Sequence, residues 1–240
     1  IDVNIDNYNF VIPDGIEVPD RGVHYKPRAY APMQDEIEVA RYKLPMAKAF
    51  AFSNKIDKTP FVASTKKLGL VTAGKSYMDV LRAIELLGLS KNQAQDLGLS
   101  IYKVGMIYPL EPHGFTQFAE DHQQLFFIEE KKAVMESQAA SILYNLKNRP
   151  SIVGKQDLSG NQLLPGDVQL EPISLALSIS DRMAELGLLT DKIEAISKNL
   201  QISLGQSPSM NPATARSPYF CSGCPHNRST KIPEGSKAMT

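Results

Sequence analysis

The chain has 240 residues, 42% of them hydrophobic, which allows one large domain or a domain with extensions around an ample core. Lysine plus arginine and aspartate plus glutamate are equal at 26 each, with no basic run, so nucleic acid is not an expected partner. No apolar stretch approaches the span of a bilayer and the N-terminus has no secretory signal, which leaves no membrane role and the cytoplasm as the expected compartment.

Residues 1–32 contain four prolines and little periodicity, the pattern of an extended arm or of the end of something upstream. Ile37, Ala40 and Leu44 then fall on one helical face, and Pro45 either ends that helix or starts another running to about Asn54. Arg41, Lys43 and Lys48 could hold an anion there. The plainer reading, a solvated face of a packed helix, is preferred.

The stretch from Leu68 to Lys131 organises the chain. LGLVTAG reads as a buried strand, and Ser76 with Asp79 three residues on is a near-match to a capping box at the start of a helix. Val80, Ala83, Ile84 and Leu87 give that helix one apolar face, and Gly88 is a suitable exit. SIYKVGMIYPL supplies a strand that stops at Pro109, and QLFFIEE follows after a short helix as a third strand. Val134 to Lys147 makes another helix, with Met135, Ala139, Ile142, Leu143 and Leu146 on one side, before SIVGK as a fourth short strand. Strands apolar along their whole length and separated by helices indicate an α/β fold: three layers, with a mainly parallel sheet covered by helices on both faces.

Ligands of such sheets collect at the C-terminal ends of strands, which singles out Gly74, Lys75, Glu129, Glu130 and Lys131. The glycines match neither a dinucleotide fingerprint nor a phosphate loop. Thr72, Gly74 and Lys75 therefore read as an ordinary strand-to-helix turn, and Glu129 and Glu130 as surface or interface residues. A turn-rich connection leads to a helix beginning at Pro172, with Ile173, Ala176, Leu177 and Ala184 as its buried side and Gly187 as its end. A last helix spans Asp191 to Asn199, the core closes near Leu200, and SLGQSPSMNPATARSP has the composition of a mobile linker.

Beyond it lies PYFCSGCPHNRSTKIPEGSKA. Two cysteines so close exclude a disulfide framework. A tight turn at Gly223 can aim Cys221 and Cys224 at one metal, with His226 near enough to join or flank them. One such pair is half a ligand set. The chemistry alone leaves zinc, an iron–sulfur cluster and an unliganded pair open.

The wording of the motif goes further. CSGCPH, with RSPYF before it and PEGS after it, resembles the start of the thiamine diphosphate-binding domain of 2-oxoacid:ferredoxin oxidoreductases, in particular the indolepyruvate ferredoxin oxidoreductase type. LGLVTAGKSYMDVLRAIELLG, YKVGMIYPLEP and FFIEEKKAVMESQ resemble the transketolase C-terminal-like domain of that family, and PMAKAF the end of its pyrimidine-binding domain. The resemblance implies three parts. Residues 1–60 would end a pyrimidine-binding domain, 61–200 would form the transketolase C-terminal-like domain, and 201–240 would be linker and the start of the cofactor domain. It also implies oxidative decarboxylation of an aryl 2-oxoacid, with thiamine diphosphate and Mg2+, a 4Fe–4S cluster, ferredoxin as electron acceptor and CoA as acyl acceptor. Cys221 and Cys224 match cluster ligands, and His226 a neighbour of the cofactor or cluster.

The departures matter as much. The family's Gly-Asp-Gly and later Asn are missing, since Val168 follows Gly166 and Asp167, and no residue can be assigned as the catalytic glutamate. With Ile1 at one end and a last element that breaks off at KAMT, the expectation is an internal piece of a longer enzyme, inactive alone. The competing expectation is a non-enzymatic assembly domain with a structural zinc turn.

Overall fold

A computed structural model describes residues 9–19, 22–23, 32–205, 220–229 and 231–236, which fall in two compact units, 1–205 and 206–240. Most of the expected linker, and residues 1–8 of the arm, lie outside the described residues. Among the described residues no helix is long and apolar enough to cross a membrane.

The first unit opens with an irregular stretch, residues 9–19, fastened to the helix that follows. The Asn54 side chain accepts the Val11 N–H and donates to the Val11 carbonyl, each at 2.8 Å, and Phe10 packs on Phe50 with ring centroids 5.6 Å apart. Helix α1 (Pro32–Glu38) runs through a π-helical turn (Val39–Lys43) into α2 (Leu44–Ser53). Pro45 thus does not break the chain's helical course but stands in the first turn of α2, which ends at Ser53 with Asn54 as its cap, the second of the two expectations. Its missing N–H and its ring are incompatible with α geometry, and the wider turn, in which the Leu44 N–H reaches the Val39 carbonyl, carries the chain past it. The expected apolar face fails here: Ile37 and Ala40 are exposed and Glu38 is the buried residue.

Five strands form one sheet in the order β1-β3-β2-β4-β5: β1 (Lys58–Phe61), β2 (Leu68–Ala73), β3 (Leu99–Val104), β4 (Gln124–Ile128) and β5 (Ser151–Val153). β2 pairs in parallel with both β3 and β4, and β4 with β5, whereas β1 lies antiparallel on β3. The three-layer, mainly parallel arrangement is as the apolar strand runs require. Helices α3 (Gly74–Leu86), α4 (Lys91–Asp96), α7 (Pro172–Glu185) and α8 (Asp191–Gly205) cover one face through a core that includes Leu70, Val80, Ile101, Phe126 and Ile179. Helices α5 (Pro112–Ala119) and α6 (Val134–Leu143) cover the other, around Val71, Tyr102, Phe115, Phe127 and Met135. Each large apolar side chain so buried contributes roughly 1.5–3 kcal/mol.

Several boundaries depart from the sequence reading. β3 stops at Val104, five residues short of Pro109, because the next amides are taken by a side chain: Asp57 accepts from Gly105 N at 2.7 Å and Met106 N at 3.3 Å. α3 starts at Gly74 without a side-chain cap, so Ser76 and Asp79 form no capping box. The real one is at α4, where Ser90 and Gln93 cap each other. The buried side of α7 is Leu175, Ala176, Ile179, Ser180, Arg182 and Met183. Of the residues expected there only Ala176 is buried, and Ala184 is exposed. α8 extends past Asn199 to Gly205.

On the α5 face Gly69 leaves room for an aromatic stack: a Cβ there would stand 2.6 Å from Leu125 Cδ2 and 3.2 Å from the His122 ring. His122 is 4% exposed, packs on Phe118 with centroids 4.6 Å apart, and Nδ1 donates to the Phe118 carbonyl at 2.7 Å. Burial pushes its pKa down from 6.5 to about 4, against the raising effect of that carbonyl. Between those values the unfolded chain holds the proton that the folded one refuses. Stability is therefore complete above about pH 6.5 and falls by roughly 3 kcal/mol as the pH drops to about 4. Urea midpoints measured across this window are expected to fall with pH in the native sequence and to lose most of that slope in His122→Gln. An unchanged slope would contradict the assignment.

Candidate functional site

Because β2 lies between β3 and β4, the sheet changes winding direction at the C-terminal ends of β2 and β4, where α/β sheets leave a crevice. A cavity of about 240 Å3 sits there, lined among others by Gly74, Lys75, Glu129, Glu130, Ile107 and Val134. The structure thus brings together four of the five residues singled out for this edge. Lys131 turns away, its Nζ donating to the Asp167 carbonyl at 2.9 Å.

Most charged groups of this crevice are already bonded within the fold, the exposed Lys132 excepted. Glu129 is buried, not the surface residue its sequence position suggested. Its carboxylate accepts the N–H groups of Val134 at 3.0 Å, Met135 at 2.9 Å and Glu136 at 3.0 Å, donors at the start of α6 that lack intrahelical partners, Val134 also reaching the Lys132 carbonyl at 3.0 Å. The Glu129 carbonyl accepts from Lys155 Nζ, which also donates to the Pro165 carbonyl. Burial holds the Lys155 pKa below the usual lysine value, against the pull of Glu129, Glu136 and Glu130. Lys75 Nζ reaches Asp79 at 2.9 Å, the Leu170 carbonyl at 3.1 Å and Glu130 at 3.3 Å. The hydrogen bond to Asp79 is the largest influence raising its pKa. Glu136 and Lys155 were not singled out from the sequence, and Asp79 only as half of a capping box that does not form. Only Lys75 and Asp79, four apart on one helix, carried a local signal.

Among the basic residues of the first helices, Arg41 pairs with Glu17 at 2.8 Å and Lys43 with Glu38 at 3.2 Å, and Lys48 is half-buried. Two of these three charges meet carboxylates.

The cysteine turn belongs to the second unit and is described by itself. Gly223 takes φ +80°, and the Cys224 N–H closes the turn on the Cys221 carbonyl at 3.0 Å. Asn227 Nδ2 donates to the same carbonyl at 3.0 Å. Both thiols are free. A short helix, α9 (His226–Ser229), follows, and His226 Nδ1 lies 3.2 Å from Cys224 Sγ while its ring stacks on Phe220 with centroids 5.3 Å apart. Consecutive thiols on one such turn fit two positions of a tetrahedral metal or of an iron–sulfur cluster. Among the described residues no group of three or more His, Cys, Asp and Glu side chains could hold a metal ion.

Residues 60–206 match the family described as Indolepyruvate oxidoreductase domain. No curated protein matches the chain. Among solved structures, the chain is similar to a 2-oxoglutarate:ferredoxin oxidoreductase from Magnetococcus marinus with 2-oxoglutarate, coenzyme A and succinyl-CoA bound, with 13% identity and a TM-score of 0.44, over 75% of this chain and 27% of that one. It is also similar to a split-gene transketolase, an inactive beta4 tetramer, with 15% identity and a TM-score of 0.32, over 60% of this chain and 42% of that one. The chain thus spans about a quarter of the first protein and about two fifths of the second.

The Glu129 cap sets a stability expectation. Glu129→Ala removes three charge-assisted acceptor contacts from the start of α6 and should cost about 2–4 kcal/mol, whereas Glu129→Gln should retain part of that. Urea midpoints check both, and an Ala variant as stable as the native chain would refute the cap.

Proposed function

Because the chain belongs to the indolepyruvate oxidoreductase domain family, we propose that it is one part of a thiamine diphosphate-dependent iron–sulfur oxidoreductase of the 2-oxoacid:ferredoxin type. That enzyme, working in the cytoplasm, oxidatively decarboxylates an aryl 2-oxoacid of the indolepyruvate kind, passing electrons to ferredoxin and the acyl group to CoA. The observation that carries this reading is the match over residues 60–206. The CSGCPH turn beside it supports an electron-transfer role.

In this reading residues 1–60 end a pyrimidine-binding domain, 61–200 are a transketolase C-terminal-like domain, and 201–240 begin the domain that binds thiamine diphosphate and Mg2+. The α/β domain serves as a packing and interface element, consistent with Lys75 and Glu129 at the strand ends being held by Asp79 and by backbone amides of the fold itself. Cys221 and Cys224 supply two thiolates to a 4Fe–4S cluster, which when bound provides the one-electron acceptor that the reaction needs. His226, with the proton on Nδ1, donates to the Cys224 sulfur and so helps to orient it, while the ring stacks on Phe220. The remaining cluster ligands, the diphosphate site and the catalytic glutamate come from other parts of the enzyme.

The enzyme containing this chain should reduce ferredoxin in the presence of indolepyruvate and CoA. Cys221→Ser and Cys224→Ser should lose that activity together with cluster iron, while the α/β unit unfolds at the native urea midpoint. The 240-residue chain alone should not turn over. Zinc in place of iron, with no 2-oxoacid oxidation by the complete protein, would overturn the reading in favour of a structural zinc turn in an assembly domain.

A further inference from the structure

A second cavity has no part in that reading. It is a cleft of about 740 Å3 within the first unit, at the antiparallel edge of the sheet, between the end of α2, β1 and the start of α5. Its size is that of a small-molecule site. Phe52 lines it with 45% of its surface exposed, an unusual state for a phenylalanine, and the His113 ring stands 5.4 Å away at a tilt. Tyr102 and Pro60 extend the apolar wall.

Four charged residues line the same cleft, and they divide by what they already hold. Asp57 accepts from Gly105 N, Met106 N and the Tyr102 hydroxyl, the last at 3.0 Å. Glu111 accepts from His113 N and Gly114 N, each at 2.7 Å, and from the His113 ring at 3.0 Å. Both carboxylates are committed to the fold on both oxygens. Lys55 and Lys58 are exposed, and among the described residues neither has an ion-pair partner. What the cleft offers a visitor is one open aromatic face and two uncommitted ammonium groups.

We propose that this cleft binds an anionic ligand with a planar aromatic body, an aryl carboxylate or a nucleoside phosphate, with its ring against Phe52 and its acidic group on Lys55 and Lys58. Aromatic contact and charge are then read separately, which makes the site selective for molecules carrying both.

Calorimetric titration of the 240-residue chain with 2-naphthoate and with adenosine 5′-monophosphate tests this. One saturable site for either compound is expected, and which of them binds distinguishes the carboxylate source from the phosphate source. Phe52→Ala and Lys58→Gln change exposed side chains and should each weaken binding about tenfold with the circular dichroism spectrum unchanged. Should Phe52→Ala disturb the fold, Lys58→Gln still decides. The proposal fails if neither anion saturates at millimolar concentration, or if binding survives both substitutions. It fails equally if inorganic phosphate binds as tightly as the nucleotide, or if benzyltrimethylammonium binds in preference to both anions.

Discussion

The C-terminal edge of the sheet depends on one carboxylate. A fully parallel core brings several strand ends and helix starts to the same side, and each helix start exposes amide donors that water cannot reach once the layers close. At α6 those donors converge on Glu129. The carbonyl of the same residue takes the ammonium group of Lys155, whose side chain also reaches the Pro165 carbonyl. One residue therefore joins β4, the start of α6, the chain after β5 and the loop that follows it. Lys75 does the equivalent for α3, holding Asp79 on its own helix, Glu130 after β4 and the Leu170 carbonyl ahead of α7.

This arrangement bears on function because the same edge is where a sheet of this winding would hold a ligand. An anion drawn to Lys75 would have to displace its bonds to Asp79, Glu130 and the Leu170 carbonyl, each of which would be left unsatisfied, and among the described lysines only the exposed Lys132 lines the cavity without such bonds. The edge is built as a fastening. Other functional groups still available are the thiols of the cysteine turn and the lysines beside the open face of Phe52.

The architecture was legible because burial on both faces leaves a plain mark in sequence. LGLVTA and QLFFI are apolar almost throughout and lie at the centre of the sheet, and Val80, Ala83, Ile84 and Leu87 of the first core helix are buried as their spacing requires. β1 escaped notice because an edge strand of the composition KTPF has no apolar run, and its Pro60 is tolerated only at an edge. The side of α7 was misjudged because Ser180 and Arg182 share its buried face, Ser180 bonding to Ser197 on α8 and Arg182 to Glu185. Of the strand-end fastenings only the Lys75–Asp79 pair, four apart on one helix, left a mark in sequence. Lys75 and the Leu170 carbonyl are 95 residues apart in the chain, and Lys155 and the Glu129 carbonyl 26. Nothing local marks a lysine as one that will meet a carbonyl. The cysteine turn was the opposite case, explicit in sequence and independent of the sheet.

Amide hydrogen exchange at Val134, Met135 and Glu136 tests the fastening most directly. Amides in the first turn of a helix ordinarily exchange fast, since they lack intrahelical partners. If Glu129 holds this edge together, these three should be protected nearly as well as the amides of β4, and the protection should vanish in Glu129→Ala. Fast exchange in the native chain would mean that the carboxylate does not hold them, and the crevice would then be open to a ligand after all.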